Sequence, residues 1–393
     1  MRRAIALLLL LAATPARAGS DGQSFDQIWR GHYLATIGDC AACHTAPGGK
    51  PYAGGRPLET PFGVLLAPNL TPDRETGIGA WSDDEFIAAL RDGESSHGRL
   101  YPAMPYTYYT KVTRDDALAI RDYLATLDPV DNKVVANQLP FPFSVRSSMA
   151  VWNALFFTPG TFQPVAGKSE EWNRGAYLVQ GLGHCGACHT SKNVLGGDHT
   201  SRALQGGELQ GWYSPDITGE PRAGIGGWSV DDIVQYLETG HNRTSAATGP
   251  MAEVITNSTS QMSRKDLAAM AVYLKDTLPK SPAAQKPVAA SNPALQTGQA
   301  IYLDQCAACH TAEGTGIPGL FPRLKGNPAV QSADATSLIR IVEQGARSVA
   351  TDPAPTGPAM PAFGWKLSND QIAAVLTYIR NSWGNAAEPV VPQ

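Results

Sequence analysis

A chain of 393 residues with 43% hydrophobic and 17% charged positions is able to bury several small cores, which excludes a disordered or fibrous protein. Its formal charge of −4 offers no basic surface to a polyanion, so nucleic acid is not an expected partner.

The chain opens with Met1-Arg2-Arg3, an apolar run from Ala4 to Ala13, and Ala16-Arg17-Ala18. That order predicts a signal peptide over 1–18, cleaved after Ala18, and therefore export. The run is about half of the roughly 20 apolar residues that a membrane span needs, so cleavage is favoured over anchoring. Losing Arg2, Arg3 and Arg17 takes the charge to about −7, which suits solubility.

Residues 19–136 form the first expected domain, and they contain Cys40-Ala41-Ala42-Cys43-His44. The pattern returns as Cys185-Gly186-Ala187-Cys188-His189 and Cys306-Ala307-Ala308-Cys309-His310, which uses all six cysteines and leaves none for the disulfides an exported protein ordinarily carries. Chance predicts roughly 0.002 such matches in a chain of this composition. Two cysteines on one helical turn can each form a thioether to a haem vinyl group, and the adjacent His then turns its imidazole to the iron. A redox Cys-x-x-Cys needs no such His, and structural zinc would need two further ligands beside each pair. Three haem c groups are therefore expected, attached at Cys40 and Cys43, Cys185 and Cys188, and Cys306 and Cys309, with His44, His189 and His310 on the irons.

A methionine follows each motif: Met104 in Tyr101-Pro102-Ala103-Met104-Pro105, Met251 in Gly249-Pro250-Met251, and Met360 in Pro358-Ala359-Met360-Pro361. These lie 60, 62 and 50 residues after their histidines, and the neighbouring prolines stiffen the loops. A thioether in the sixth position favours ferrous iron and closes the site to oxygen or peroxide, so electron transfer is expected rather than catalysis. Met149, Met262 and Met270 read as core filling. His97 and His241, in the loops before Met104 and Met251, read as solvated loop residues.

The aromatic stretch 137–164, with Phe141, Phe143, Trp152, Phe156 and Phe157, is expected to pack across its neighbours. The second domain, 165–278, repeats the first: Trp29-Arg30-Gly31-His32-Tyr33-Leu34 returns around Gly175-Ala176-Tyr177-Leu178, and Gly77-Ile78-Gly79-Ala80-Trp81-Ser82 returns at Gly224 to Ser229. A linker at 279–291, a third domain at 292–384 and a tail at 385–393 complete the chain. Each domain closes on a helical pattern, at Asp115 to Leu127, Arg264 to Leu278 and Asn369 to Trp383. A glycine near each opening helix would admit the closing helix, with Tyr123, Tyr273 and Tyr378 as core aromatics at the crossing. The expected fold class is mainly α: three tandem small c-type cytochrome domains, each with one haem.

With Pro68-Asn69-Leu70-Thr71-Pro72-Asp73, Tyr101-Pro102-Ala103-Met104-Pro105-Tyr106 and the connection from Phe141 to Phe157, the chain resembles the three-haem cytochrome subunits of bacterial membrane-associated dehydrogenases. These act with quinoprotein alcohol dehydrogenases, flavin-dependent gluconate, sorbitol or fructose dehydrogenases, and molybdenum-dependent aldehyde or nicotinate oxidoreductases. The resemblance implies a periplasmic protein that accepts electrons from a dehydrogenase catalytic subunit and passes them to ubiquinone or another respiratory acceptor. It assigns the axial pairs His44 and Met104, His189 and Met251, and His310 and Met360. Pro322, twelve residues after His310, resembles the proline whose carbonyl receives the imidazole proton in small c-type cytochromes. Many relatives carry a membrane-associating C-terminal extension, whereas this chain closes on a polar segment, so membrane association is expected to be indirect. A free shuttle to an oxidase and a haem peroxidase remain the alternative functions.

Overall fold

The computed structural model describes residues 24–278 and 287–392; the expected signal peptide and residues 279–286 of the expected linker lie outside them. One helical crossing occurs three times. Phe25–Ile37 crosses Arg114–Leu124, Glu170–Gln180 crosses Arg264–Asp276, and Pro293–Gln305 crosses Asn369–Ile379. Ser24, Ser169 and Asn292 cap the opening helices, while Thr113, Ser263 and Ser368 cap the closing ones, so each start is written in a short polar side chain.

The crossings are close enough to require glycine. A Cβ added to Gly31 would lie 1.8 Å from the Ala119 carbonyl oxygen; at Gly175 the distance to the Ala269 oxygen would be 1.9 Å, and at Gly298 that to the Ala374 oxygen 2.2 Å. Beside these contacts, Trp172 packs on Tyr273 and Tyr302 on Tyr378, with centroids 5.1 and 5.5 Å apart, and Tyr123 meets Tyr52 at 6.1 Å.

The first two crossings share one continuous core, in which Leu34, Ile120 and Leu124 join Leu178, Leu267 and Leu274. Tyr302, Val330, Val342, Ile372, Val375 and Leu376 form a separate core around the third. The repeated Trp-Ser pairs start two further helices: Ser82 and Ser229 close capping boxes with Glu85 and Asp232 at the heads of Asp83–Asp92 and Val230–Thr239.

The connection makes contacts on both of its neighbours, although Phe141 is exposed. Gln138 exchanges two backbone hydrogen bonds with Val64. Asn153 accepts the Tyr106 hydroxyl at 2.6 Å, and the Trp152 indole donates to the Leu195 carbonyl at 2.8 Å. Residues 385–392 fold back on the third closing helix rather than trailing from it. Arg380, only 1% exposed, donates there to the carbonyls of Glu388 and Val330, each at 3.2 Å, and Ala387 is fully covered. A buried guanidinium needs such acceptors. Among the described residues, no helix is long and apolar enough to cross a membrane.

Candidate functional site

Each cysteine motif folds into one turn of helix directly after an opening helix: Cys40–His44, then Gly186–His189 with Cys185 at its cap, then Ala307–His310 with Cys306 at its cap. The two cysteines of a motif thus stand three residues apart on one face, with the His beside them. None of the six cysteines is joined in a disulfide. Burial pushes Cys40 and Cys185 up to about 12, and Cys43 and Cys306 to about 11, so these are neutral thiols rather than thiolates.

The imidazoles share one arrangement. His44 Nδ1 donates to the Pro68 carbonyl at 2.7 Å, His189 Nδ1 to that of Pro215 at 2.7 Å, and His310 Nδ1 to that of Pro322 at 2.9 Å. Burial holds all three below the usual histidine range, against the opposing pull of the carbonyl, so the rings are neutral. A neutral ring that donates from Nδ1 carries its free lone pair on Nε2, the tautomer a metal requires. The residues present fit a covalently attached haem: paired neutral thiols on one turn and, beside them, a ring nitrogen held in one orientation.

The resemblance supplied Pro322 but no counterpart in the longer segments. Pro68 and Pro215 sit 24 and 26 residues after their histidines because hairpins, Pro57–Thr60 with Gly63–Leu66 and Gln205–Leu209 with Trp212–Asp216, fill the interval. Their signal is a shared turn, Pro68-Asn69-Leu70-Thr71 and Pro215-Asp216-Ile217-Thr218. Asn69 Oδ1 accepts from the backbone of Thr71 at 2.9 Å, and Asp216 Oδ1 from that of Thr218 at 2.6 Å.

Met104, Met251 and Met360 are half-buried against the cores of their own segments. Met104 lies in the turn before Tyr106–Tyr109, Met251 in the first turn of Pro250–Asn257, and Met360 in a two-residue strand paired with Ala346–Arg347. Met262 and Met270 are core residues at 6% and 2% exposure, and Met149 is half-buried at the head of Met149–Phe156. His97 is exposed, whereas His241 buries an Nδ1 without a hydrogen-bond partner.

The first two motifs face each other. Asp39 raises the thiol of Cys43 in the first motif and that of Cys188 in the second. Arg56 joins the two sides by donating to the Ala42 carbonyl at 2.7 Å and pairing at 2.8 Å with Glu253, on the helix that carries Met251.

The comparisons agree with this chemistry. A family model for cytochrome c matches residues 30–128 and 295–383. The chain is 39% identical to the gluconate 2-dehydrogenase cytochrome c subunit of Pantoea cypripedii, over 98% of this chain and 92% of that one. It is 37% identical to the cytochrome c subunit of the quinone alcohol dehydrogenase of Gluconacetobacter polyoxogenes, over 97% and 86%. It is 36% identical to the fructose dehydrogenase cytochrome subunit of Gluconobacter japonicus, over 98% and 86%. The chain belongs to this family of dehydrogenase cytochrome c subunits, which are electron-transfer components rather than catalytic subunits.

Proposed function

We propose that the chain holds three haems c, one in each helical crossing, and carries electrons from a partner dehydrogenase to ubiquinone or another respiratory acceptor in the periplasm. In this reading Cys40 and Cys43, Cys185 and Cys188, and Cys306 and Cys309 form the thioethers. His44, His189 and His310 would hold the irons through imidazole nitrogen, and Met104, Met251 and Met360 through thioether sulfur. The observation that supports it best is the threefold imidazole-to-proline hydrogen bond, at 2.7, 2.7 and 2.9 Å, since three equivalent tautomers argue for three equivalent metals.

When bound, the haems supply one-electron oxidation and reduction. The chain's own residues do the rest. The thioethers fix each ring to a helix turn, and the proline carbonyls hold the imidazoles in one orientation. The sulfurs of Met104, Met251 and Met360 would favour the reduced state and exclude other ligands. Packing the first two crossings into one core, with Arg56 bridging them, keeps the geometry between their sites constant. Membrane association, in this reading, is indirect and runs through the partner.

Two measurements test the proposal. The mass of the purified mature protein should exceed that of the polypeptide by three covalently bound haems, and the reduced protein should bind no carbon monoxide. Fewer haems, or an iron open to carbon monoxide in the resting protein, would refute the coordination. Purification from the native host should bring down a dehydrogenase; a protein that always runs alone would point to the free shuttle instead.

A further inference from the structure

The Trp212–Asp216 strand touches both sides of the second site. At one end the Pro215 carbonyl receives the His189 imidazole proton at 2.7 Å. At the other the Trp212 indole lies on Gly249, where an added Cβ would come within 2.6 Å of Trp212 Cζ2. Gly249 has φ +56° and ψ −140° and caps the helix whose first turn presents Met251. Glycine is required there both for its backbone angles and for the indole against it. One strand therefore sets the proximal orientation and supports the distal loop.

That strand is gripped from outside its own segment. Thr336–Gln344 turns Leu338, Ile339 and Val342 toward the third core. Ser337 and Arg340, three residues apart on another face, meet the strand. The Tyr213 amide donates to Ser337 Oγ at 2.8 Å, and the same hydroxyl donates to the Tyr213 carbonyl at 3.0 Å. The Arg340 guanidinium lies 4.9 Å over the Trp212 ring, with Nη1 3.4 Å from the Gly211 carbonyl. Arg340 Nε is buried without a hydrogen-bond partner, while the guanidinium lies on the indole face. The same helix runs directly into Ala346–Arg347, which pairs with the strand holding Met360.

We propose that Ser337 and Arg340 are positioning residues for the second haem site: by clamping the Trp212–Asp216 strand, the third segment holds His189 and Met251 in their binding geometry. The inference rests on the reading that these two residues hold an iron. Without the clamp the strand loses two hydrogen bonds and the weight on its indole, and the Gly249 turn loses its support. The Met251 sulfur then leaves its iron part of the time. Because a thioether favours ferrous iron, its loss lowers the midpoint of that haem.

The test uses the full-length protein with its haems. Ser337→Ala with Arg340→Ala should weaken the sulfur-to-ferric-iron absorption band at one iron of the three. It should let one haem per chain bind carbon monoxide when reduced, and shift one midpoint negative while two stay in place. Arg340→Lys, which keeps a cation over the indole, should restore most of the band. Met251→Ala added to the double variant should complete the loss at that same iron and leave the other two unchanged. A double variant that is folded and fully loaded, with an intact band, no carbon monoxide binding and three unmoved midpoints, overturns the proposal. If the pair fails to load haem, Ser337→Ala alone decides: one midpoint shifted supports the clamp, and none shifted rejects it. If Met251→Ala by itself opens no iron, the ligand assignment has failed rather than the clamp.

Discussion

Tyr33, on the first opening helix, donates its hydroxyl to Asp266 of the second closing helix at 2.8 Å, a bond between residues 233 apart in the chain. Tyr177 returns it, donating to Asp116 of the first closing helix. Each carboxylate also holds an arginine of its own segment, Arg174 on Asp266 and Arg30 on Asp116. The two halves thus exchange equivalent tyrosines around two buried acids, at 7% and 2% exposure. This exchange aligns the crossings whose motif helices face each other.

Removing either hydroxyl deletes one hydrogen bond to a buried charge while the arginine remains. Tyr33→Phe and Tyr177→Phe should each lower stability by about 1–2 kcal/mol, measured as a displaced midpoint in denaturant unfolding of the haem-loaded protein. Because the arrangement is reciprocal, the two losses should be similar. Variants as stable as the parent would show that the exchange contributes nothing.

Gly31, Gly175 and Gly298 make a sharper case, because their neighbours are backbone oxygens of a packed helix rather than movable side chains. Alanine at any of them must push two helices apart. Each substitution should cost about 3 kcal/mol, the upper part of the range for overpacked cores. Gly298→Ala should act on the third core alone, whereas Gly31→Ala should loosen the core that the first two segments share. Thermal unfolding followed separately at the three haems distinguishes these outcomes; a uniform response to Gly298→Ala would contradict the division into two cores.

Much of this was legible locally. Cysteine spacing, the glycine and tyrosine at each crossing, and the Trp-Ser helix starts all depend on residues a few positions apart. The proline partners of His44 and His189 were not found, because inserted hairpins remove any constant offset from the histidine. The Asx turn that follows each proline was the available signal. The tyrosine exchange and the merging of the first two cores involve partners too distant in sequence for any periodicity to register. Residues 385–392 read as a tail because they are small and polar, but Asn385, Ala386 and Ala387 are covered by packing around the buried Arg380.

Asp39 offers a prediction in pH. It precedes Cys40 at φ +51°, with Oδ1 buried and without a hydrogen-bond partner. Burial pushes its carboxyl up to about 7, with Glu253 adding to the rise and Arg56 opposing it. A folded pKa above the ordinary carboxylate value favours the protonated form. Its contribution to stability is therefore complete below about pH 4 and is lost as pH rises through 7. Asp39→Asn keeps the shape, tolerates the left-handed backbone and stays neutral. It should flatten that decline and raise stability above pH 7 by about 1–3 kcal/mol, after allowance for partial exposure. Unfolding at about pH 5 and about pH 8 checks this; equal slopes in parent and variant would dismiss Asp39 as the cause.

Asn69 links the turn chemistry to the iron. It is 3% exposed, accepts from the backbone and hydroxyl of Thr71 at 2.9 and 2.8 Å, and donates to the Val130 carbonyl at 2.8 Å. Those bonds hold the turn that presents the Pro68 carbonyl to His44. Asn69→Ala leaves buried groups without partners, at a cost of about 2–3 kcal/mol, and lets the carbonyl drift. The hydrogen bond on Nδ1 makes the ring a stronger donor, which favours ferric iron, so weakening it should raise the midpoint of the first haem. The direction is opposite to that expected on losing a methionine, which separates a proximal effect from a distal one. Potentiometric titration of Asn69→Ala should show one midpoint moved positive and two unchanged. A negative shift, or movement of all three together, would mean that the turn does not act through His44.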